Sequence, residues 1–263
     1  MGVDASKIEL PEKKWKRPEQ FSKPQIWLEK DGIVVRDITP DLQPFVLEHM
    51  GTVYLRDEPM NQSMGTIDDP ATVQEQLAIW QATTYRDGIS IVALEKGTPG
   101  ANMDLVSKEN PPVIVGVSHL FVSSKGDPVP PGNVSDKIQS DKVLKIFKSF
   151  KEINKVANVF ESYGVDHYIE GAGLSVSPEW RGKGIGQLLM QARYTLSRAM
   201  GIPMTRTIFT AVQSQKVALK GGFEELGHVL YTDLKEEDGQ PRFPKMPPHQ
   251  TKISLMAKRI EYL

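Results

Sequence analysis

Apolar residues recur along this chain with two periods, one of two and one of three to four, and the switches between them mark out the elements. GIVVRDIT (32–39) is a short β-branched run and reads as a strand. Leu42, Phe45, Val46 and Met50 then fall at helical spacing, and PATVQEQLAIWQATTYR (70–86) reads as a second helix with its proline in the first turn. ISIVALEKG and PVIVGVSHLFVSS read as two neighbouring strands joined by a long hairpin loop, TPGANMDLVSKENP. Val143, Phe147, Phe150, Ile153, Ala157 and Phe160 share one face of a helix expected through 141–163, and that face is expected in the core. Next come a strand, HYIEGAGLSV, a glycine turn, and a helix running to Met200. Ile185, Leu188, Leu189, Ala192, Leu196 and Ala199 line one face of that helix, and Gly201 and Pro203 stop it. MTRTIFTAV reads as a strand, SQKVALKGG as a short helix, and FEELGHVLYTDL and TKISLMAKRI as two last strands. The alternation predicts a mixed α/β (α+β) chain with one sheet in one domain, residues 25–263. Residues 1–24, with the basic KKWKRP, are expected to be a flexible arm, and 124–140, rich in proline and glycine, a mobile connection.

Composition narrows the class. The chain has 263 residues and a formal net charge of -1, which argues against a dedicated nucleic-acid partner. It has no cysteine, so disulfides, a cysteine nucleophile and thiolate metal sites are excluded. Its five histidines are scattered without metal-ligand spacing, and no metal is expected. No run approaches the roughly 20 apolar residues of a transmembrane segment, and no signal peptide is apparent. A cytoplasmic monomer is the expectation. Against it stands MGVDAS (1–6), which fits the acceptor pattern for N-myristoylation of Gly2, with Lys13, Lys14, Lys16 and Arg17 as a basic second signal.

The sharpest motif is VSPEWRGKGIGQLLMQA (176–192). A helix start presents N–H groups without intrahelical partners and the positive end of the dipole. Glycines there let a phosphate approach the backbone. The run fails the P-loop pattern, because the lysine after Gly182 is followed by Gly184, and it is GxGxG where a dinucleotide fingerprint needs GxGxxG early in the chain. Arg181, Gly182, Lys183, Gly184, Ile185 and Gly186 do satisfy [QR]xxGx[GA], the diphosphate-binding signature of GNAT N-acetyltransferases.

Three separated segments carry a closer resemblance: RDEPMN (56–61), LSVSPEWRGKGIG, and TAVQSQKVALKGGF with YTDL and MPPHQTKISLMAKRI after it. With these the chain resembles the insect arylalkylamine N-acetyltransferases, the dopamine and agmatine acetyltransferase group, over residues 32–260. The resemblance implies a single GNAT fold: a central, mostly antiparallel mixed sheet, splayed between its fourth and fifth strands, with helices on both faces. It implies acetyl-CoA as co-substrate, held at 181–186 and by backbone N–H groups of Leu174, Ser175 and Val176. Gly171 and Gly173 fit a locally irregular strand there.

The implied reaction is direct acetyl transfer, in a ternary complex, to a small primary amine such as dopamine, serotonin, tyramine, agmatine or a polyamine. An alkylammonium with a pKa near 10.4 must lose a proton before it attacks. Glu58, beside the helix-breaking Pro59, is the base that the resemblance implies, and Asp57 is its competitor. Thr210 and Ser214 are the implied hydroxyls near the departing thiolate, Ser214 also lying at the cofactor. Ser214 doubles as the expected N-cap of its helix, and Tyr231 is the alternative acid. Two other readings stay open: a catalytically silent acyl-CoA-binding sensor, and an N-acyltransferase using longer acyl-CoA donors.

Overall fold

The computed structural model of the chain describes residues 8, 10, 12–127 and 138–261; the MGVDAS stretch and most of the 124–140 connection lie outside the described residues. Eight strands form one sheet in the order β1-β2-β3-β4-β5-β6-β8-β7. They are β1 (Ile26–Lys30), β2 (Ile33–Asp37), β3 (Ile91–Glu95), β4 (Ile114–Ser124), β5 (His167–Val176), β6 (Met204–Phe209), β7 (Glu224–Leu230) and β8 (Lys252–Arg259). Every neighbouring pair is antiparallel except β5 and β6. The mixed, mostly antiparallel sheet with helices on both faces is the expected one.

Period-two alternation explains the two-sided burial. Ile33, Val35, Ile91 and Ala93 pack under α7 (Ile185–Ala199), through Ile185, Leu188, Leu189, Ala192 and Leu196. Val34, Val92 and Leu94 face the other way, onto Leu42, Val46 and Met50 of the first helical segment and Trp80 of α4 (Pro70–Thr84). That first segment runs as α1 (Gln43–His49), a π-helical turn (Met50–Tyr54) and α2 (Leu55–Asp57). It then bends at Glu58 into α3 (Pro59–Met64).

One expectation is corrected. The helix through 141–163 is two helices, α5 (Asp141–Ile153) and α6 (Val159–Tyr163), because Asn158 caps the second through Phe160 N and Val156 turns aside to sit on Gly227 of β7. The splay falls between the two strands expected to part, HYIEGAGLSV and the one after it, which count as fifth and sixth here because the hairpin partner β1 precedes the run read as the first strand. The basic stretch is laid against the domain where it is described, since its charges and rings find partners. Lys13 donates to Val122 O at 2.8 Å and pairs with Asp87, Arg17 pairs with Asp37 at 2.6 Å, and Trp15 and Phe21 pack on the main core. No helix among the described residues is long and apolar enough to cross a membrane, and none of their acidic, histidine or cysteine side chains form a metal-holding group.

Candidate active site

The parallel ladder of β5 on β6 holds for three pairs, Ile169–Thr205, Glu170–Arg206 and Gly171–Thr207, and then stops. β5 continues to Val176 while β6 leads away to Thr210. Leu174, Ser175 and Val176 therefore keep β4 on one side and have no strand on the other. A bulge assists: His119 and Leu120 of β4 face Gly173 and Gly171, so Ala172 is the extra residue. Trp80 Nε1 donates to the Ala172 carbonyl at 3.0 Å and ties α4 to this bulge.

The glycine turn sits beyond the end of β5. Gly182 and Gly184 have φ of 76° and 82°, and no atom lies within 4 Å of where a Cβ would stand at either. Gly184 is the N-cap of α7 and supplies no side-chain cap, so the start of a 15-residue helix is open. The residues present fit a diphosphate there. Arg181 is exposed, donates to Val176 O at 3.1 Å and pairs with Asp57, while Lys183 lies 4.7 Å over the ring of Trp180.

Through that pair the turn touches the segment that carries Glu58. Glu58 is only 6 % exposed and is the N-cap of α3. Its Oε1 accepts from Met60 N at 3.2 Å and its Oε2 from Asn61 N at 2.8 Å and Asn61 Nδ2 at 2.7 Å. Asp57, the competitor, is tied to Arg56 and Arg181. Burial pulls its carboxyl up, but the two arginines outweigh burial and hold it below the ordinary value.

Two tyrosines close in on Glu58. Burial, and then the Glu58 charge, push Tyr54 and Tyr231 well above the ordinary phenol range, so both keep their protons. Tyr231 Oη donates to Thr210 O at 2.7 Å, which joins the Glu58 side of the opening to the end of β6. Thr210 is buried, and its hydroxyl has no partner among the described residues. Ser214 is not the N-cap of α8 (Val212–Lys220): Ala211 holds that position, and Gln250 Oε1 accepts from Val212 N at 2.8 Å. Ser214 stands two residues inside, donating to Ala211 O at 2.8 Å.

Sequence reasoning passed over four residues here. Tyr54 lies edge-on to Trp80, with centroids 5.1 Å apart, on the face of β5 where Gly173 leaves room. His49 shares a hydrogen bond of 2.9 Å with Ser175 Oγ, and burial lowers its pKa to about 4. Asn61 stood inside the quoted RDEPMN without a role, and Gln76, its partner at 2.6 Å, lies on another helix. A hydroxylated ring four residues before the glutamate was the one local signal available.

A family model described as the acetyltransferase (GNAT) family matches residues 147–227. Among solved structures, a chain from the yellow fever mosquito Aedes aegypti described as arylalkylamine N-acetyltransferase 7 is 30 % identical. It superposes with a TM-score of 0.79, over 94 % of this chain and 100 % of that one. Arylalkylamine N-acetyltransferase 2 from Aedes aegypti is 26 % identical at a TM-score of 0.74, over 88 % of this chain and 100 % of its own. A Drosophila melanogaster polyamine N-acetyltransferase, which forms N-acetylagmatine, shares the fold at 20 % identity and a TM-score of 0.69, over 86 % of this chain and 99 % of that one.

Proposed function

Since the chain belongs to the GNAT acetyltransferase family, we propose that it transfers the acetyl group of acetyl-CoA directly to a small primary amine, with Glu58 as the base. The observation that carries this reading is the buried Glu58, one residue from the Asp57–Arg181 pair that reaches the open glycine turn, whose charge acts on Tyr54 beside Gly173 of β5 and on Tyr231 bonded to Thr210 past the end of β6.

The diphosphate of acetyl-CoA takes the N–H groups at the start of α7, with Arg181 and Lys183 at hand as counter-charges. The backbone N–H groups of Leu174 and Val176 point to the β6 side, where no strand pairs with them, and are available to the thioester and to the oxygen that gains charge during attack, whereas Ser175 N–H alternates to the β4 side opposite Val117. The ammonium gives its proton to Glu58, and the free amine attacks. Of the three hydroxyls, Tyr231 and Ser214 have committed their protons to carbonyls, which leaves Thr210 to pass its proton to the departing thiolate while it recovers one from the attacking nitrogen, which sheds its second proton as the amide forms. The chain has no cysteine, so no cysteine-linked acetyl group intervenes.

The neighbours of Glu58 favour an arylalkylamine. Tyr54 and Tyr231 are aromatic, and the adjacent carboxylate, Asp57, is committed to two arginines. A polyamine or agmatine calls for a second open carboxylate.

The test is thiol release from acetyl-CoA with dopamine, serotonin, tyramine, histamine, agmatine and spermidine. The aromatic amines are expected to be the better substrates. Glu58→Gln keeps an oxygen for the α3 cap and should lower turnover about a hundredfold to ten-thousandfold, with acetyl-CoA affinity by calorimetry unchanged. Tight acetyl-CoA binding without thiol release on any amine would mean a silent binding protein instead.

A further inference from the structure

Glu58 is held unevenly. Oε2 takes two short bonds, both from Asn61, while Oε1 has a single longer one from Met60 N. The Asn61 side chain is fixed in turn. Its Oδ1 accepts from Gln76 Nε2 at 2.6 Å, and Asn61 and Gln76 are 3 % and 8 % exposed. The polarity of this chain of bonds is set from one end. A carboxylate only accepts, so Asn61 must present Nδ2 to it, which turns Oδ1 outward and requires Gln76 to present Nε2.

Gln76 belongs to α4, whose Trp80 stands four residues on, on the same side of the helix, and bonds the Ala172 carbonyl at the β5 bulge. One rigid helix thus grips the base at one turn and the strand beside the thioester at the next. We infer that Asn61 and Gln76 are positioning residues that hold Glu58 by Oε2, set its distance from β5 through α4, and leave Oε1 to receive the amine proton. The inference rests on the reading of Glu58 as the base. Asn61 and Gln76 touch neither substrate and act through Glu58.

The sharpest variant is Gln76→Glu, which keeps shape and volume but replaces the donor to Asn61 with an acceptor. Asn61 then faces acceptors at both ends, and one of its contacts becomes repulsive. Gln76→Met removes the donor without adding a buried charge, and Asn61→Ala removes the link itself. Steady-state kinetics on the full chain would be measured for each variant, alone and combined with Glu58→Gln, with melting temperature and acetyl-CoA affinity as checks on folding.

Each single variant is expected to lose about tenfold to a hundredfold in kcat, the scale of a lost hydrogen bond to a charged group. The KM for acetyl-CoA should stay put. In the Glu58→Gln background the same changes should cost little more, because the group they serve is already gone. Gln76→Met covers the case in which the buried charge of Gln76→Glu prevents folding. Wild-type kcat in Gln76→Met, or losses that multiply fully with an impaired Glu58→Gln, would overturn the positioning role while leaving the base in place. Wild-type turnover in Glu58→Gln itself would overturn both.

Discussion

At the scale of single residues, Gly171 has no room for a side chain. A Cβ there would crowd Thr207 Oγ1 and lie 2.6 Å from Arg193 Nη1. Arg193 reaches from α7 to the last pair of the β5–β6 ladder, bonding Thr207 Oγ1 at 2.9 Å, Ile169 O at 2.9 Å and Arg206 O at 2.7 Å. Burial lowers its pKa to about 10, with Glu170 opposing, so it remains charged at neutral pH. It clamps the two strands where they are about to part. Gly171→Ala must therefore push the clamp or the strand, and is expected to cost about 1–3 kcal/mol, the range for overpacking. Differential scanning calorimetry should show a melting point lower by several degrees; a shift within error would mean that Arg193 can move aside at no cost. Glu58 was legible in the sequence only through its resemblance to a motif, because a glutamate before a proline is locally unremarked. The link from Asn61 to Gln76 could not be read, since its partners sit fifteen positions apart on helices whose packing no periodicity reports.

At the scale of elements, the glycine turn makes the cleanest test. Space around Gly184 is open, so a side chain there meets no neighbour in the folded chain. Its φ of 82° still strains any L-residue, by roughly 1–2 kcal/mol. Gly184→Val is expected to remain folded with modest destabilisation and to lose most of its acetyl-CoA affinity in calorimetry, because the β-branched side chain fills the approach to the N–H groups of α7. Unchanged affinity would move the diphosphate elsewhere. Elements with strong periodicity were legible: α7 buries five of the residues its spacing put on one face, and the β3, β4, β5 and β8 runs are strands. What periodicity missed were local competitions. Asn158 prefers to cap a new helix over continuing α5, and Gln250, distant in sequence, takes the cap that Ser214 was expected to provide. Asp31 and Gly32, both with positive φ, make the tight turn that pairs β1 with β2; that dipeptide is a hairpin signal that the first strand assignment left unused.

At the scale of the molecule, two buried histidines under the opening couple the fold to pH. His119 on β4 lies between Trp80, stacked at 5.8 Å, and Tyr85, with Nδ1 3.0 Å from Thr84 Oγ1. Burial lowers its pKa to about 3, helped by the repulsion of His49. His49 is lowered to about 4 by burial, with Arg181 adding to the fall and Glu179 opposing it. Both are neutral in the folded chain across the range in which an unfolded histidine, with a pKa of roughly 6.5, takes up a proton. The unfolded state therefore binds more protons as pH falls, and stability present in full above about 6.5 drains away toward the folded values. At pH 5 each histidine should have withdrawn about 2 kcal/mol relative to neutrality. The prediction is that denaturant midpoints decline steadily from pH 7 to pH 5, and that His119→Asn, whatever it costs outright, flattens this decline by close to one proton. Comparing slopes of wild type and variant cancels the carboxylates, including Glu170, which burial pulls upward against Arg206 and Arg193 and which therefore acts in the opposite sense. An unaltered slope in His119→Asn would mean that the imidazole takes up its proton while the chain is still folded, and the stacked site beside Trp80 and Tyr85 would have to admit water well above the pH at which the fold is lost.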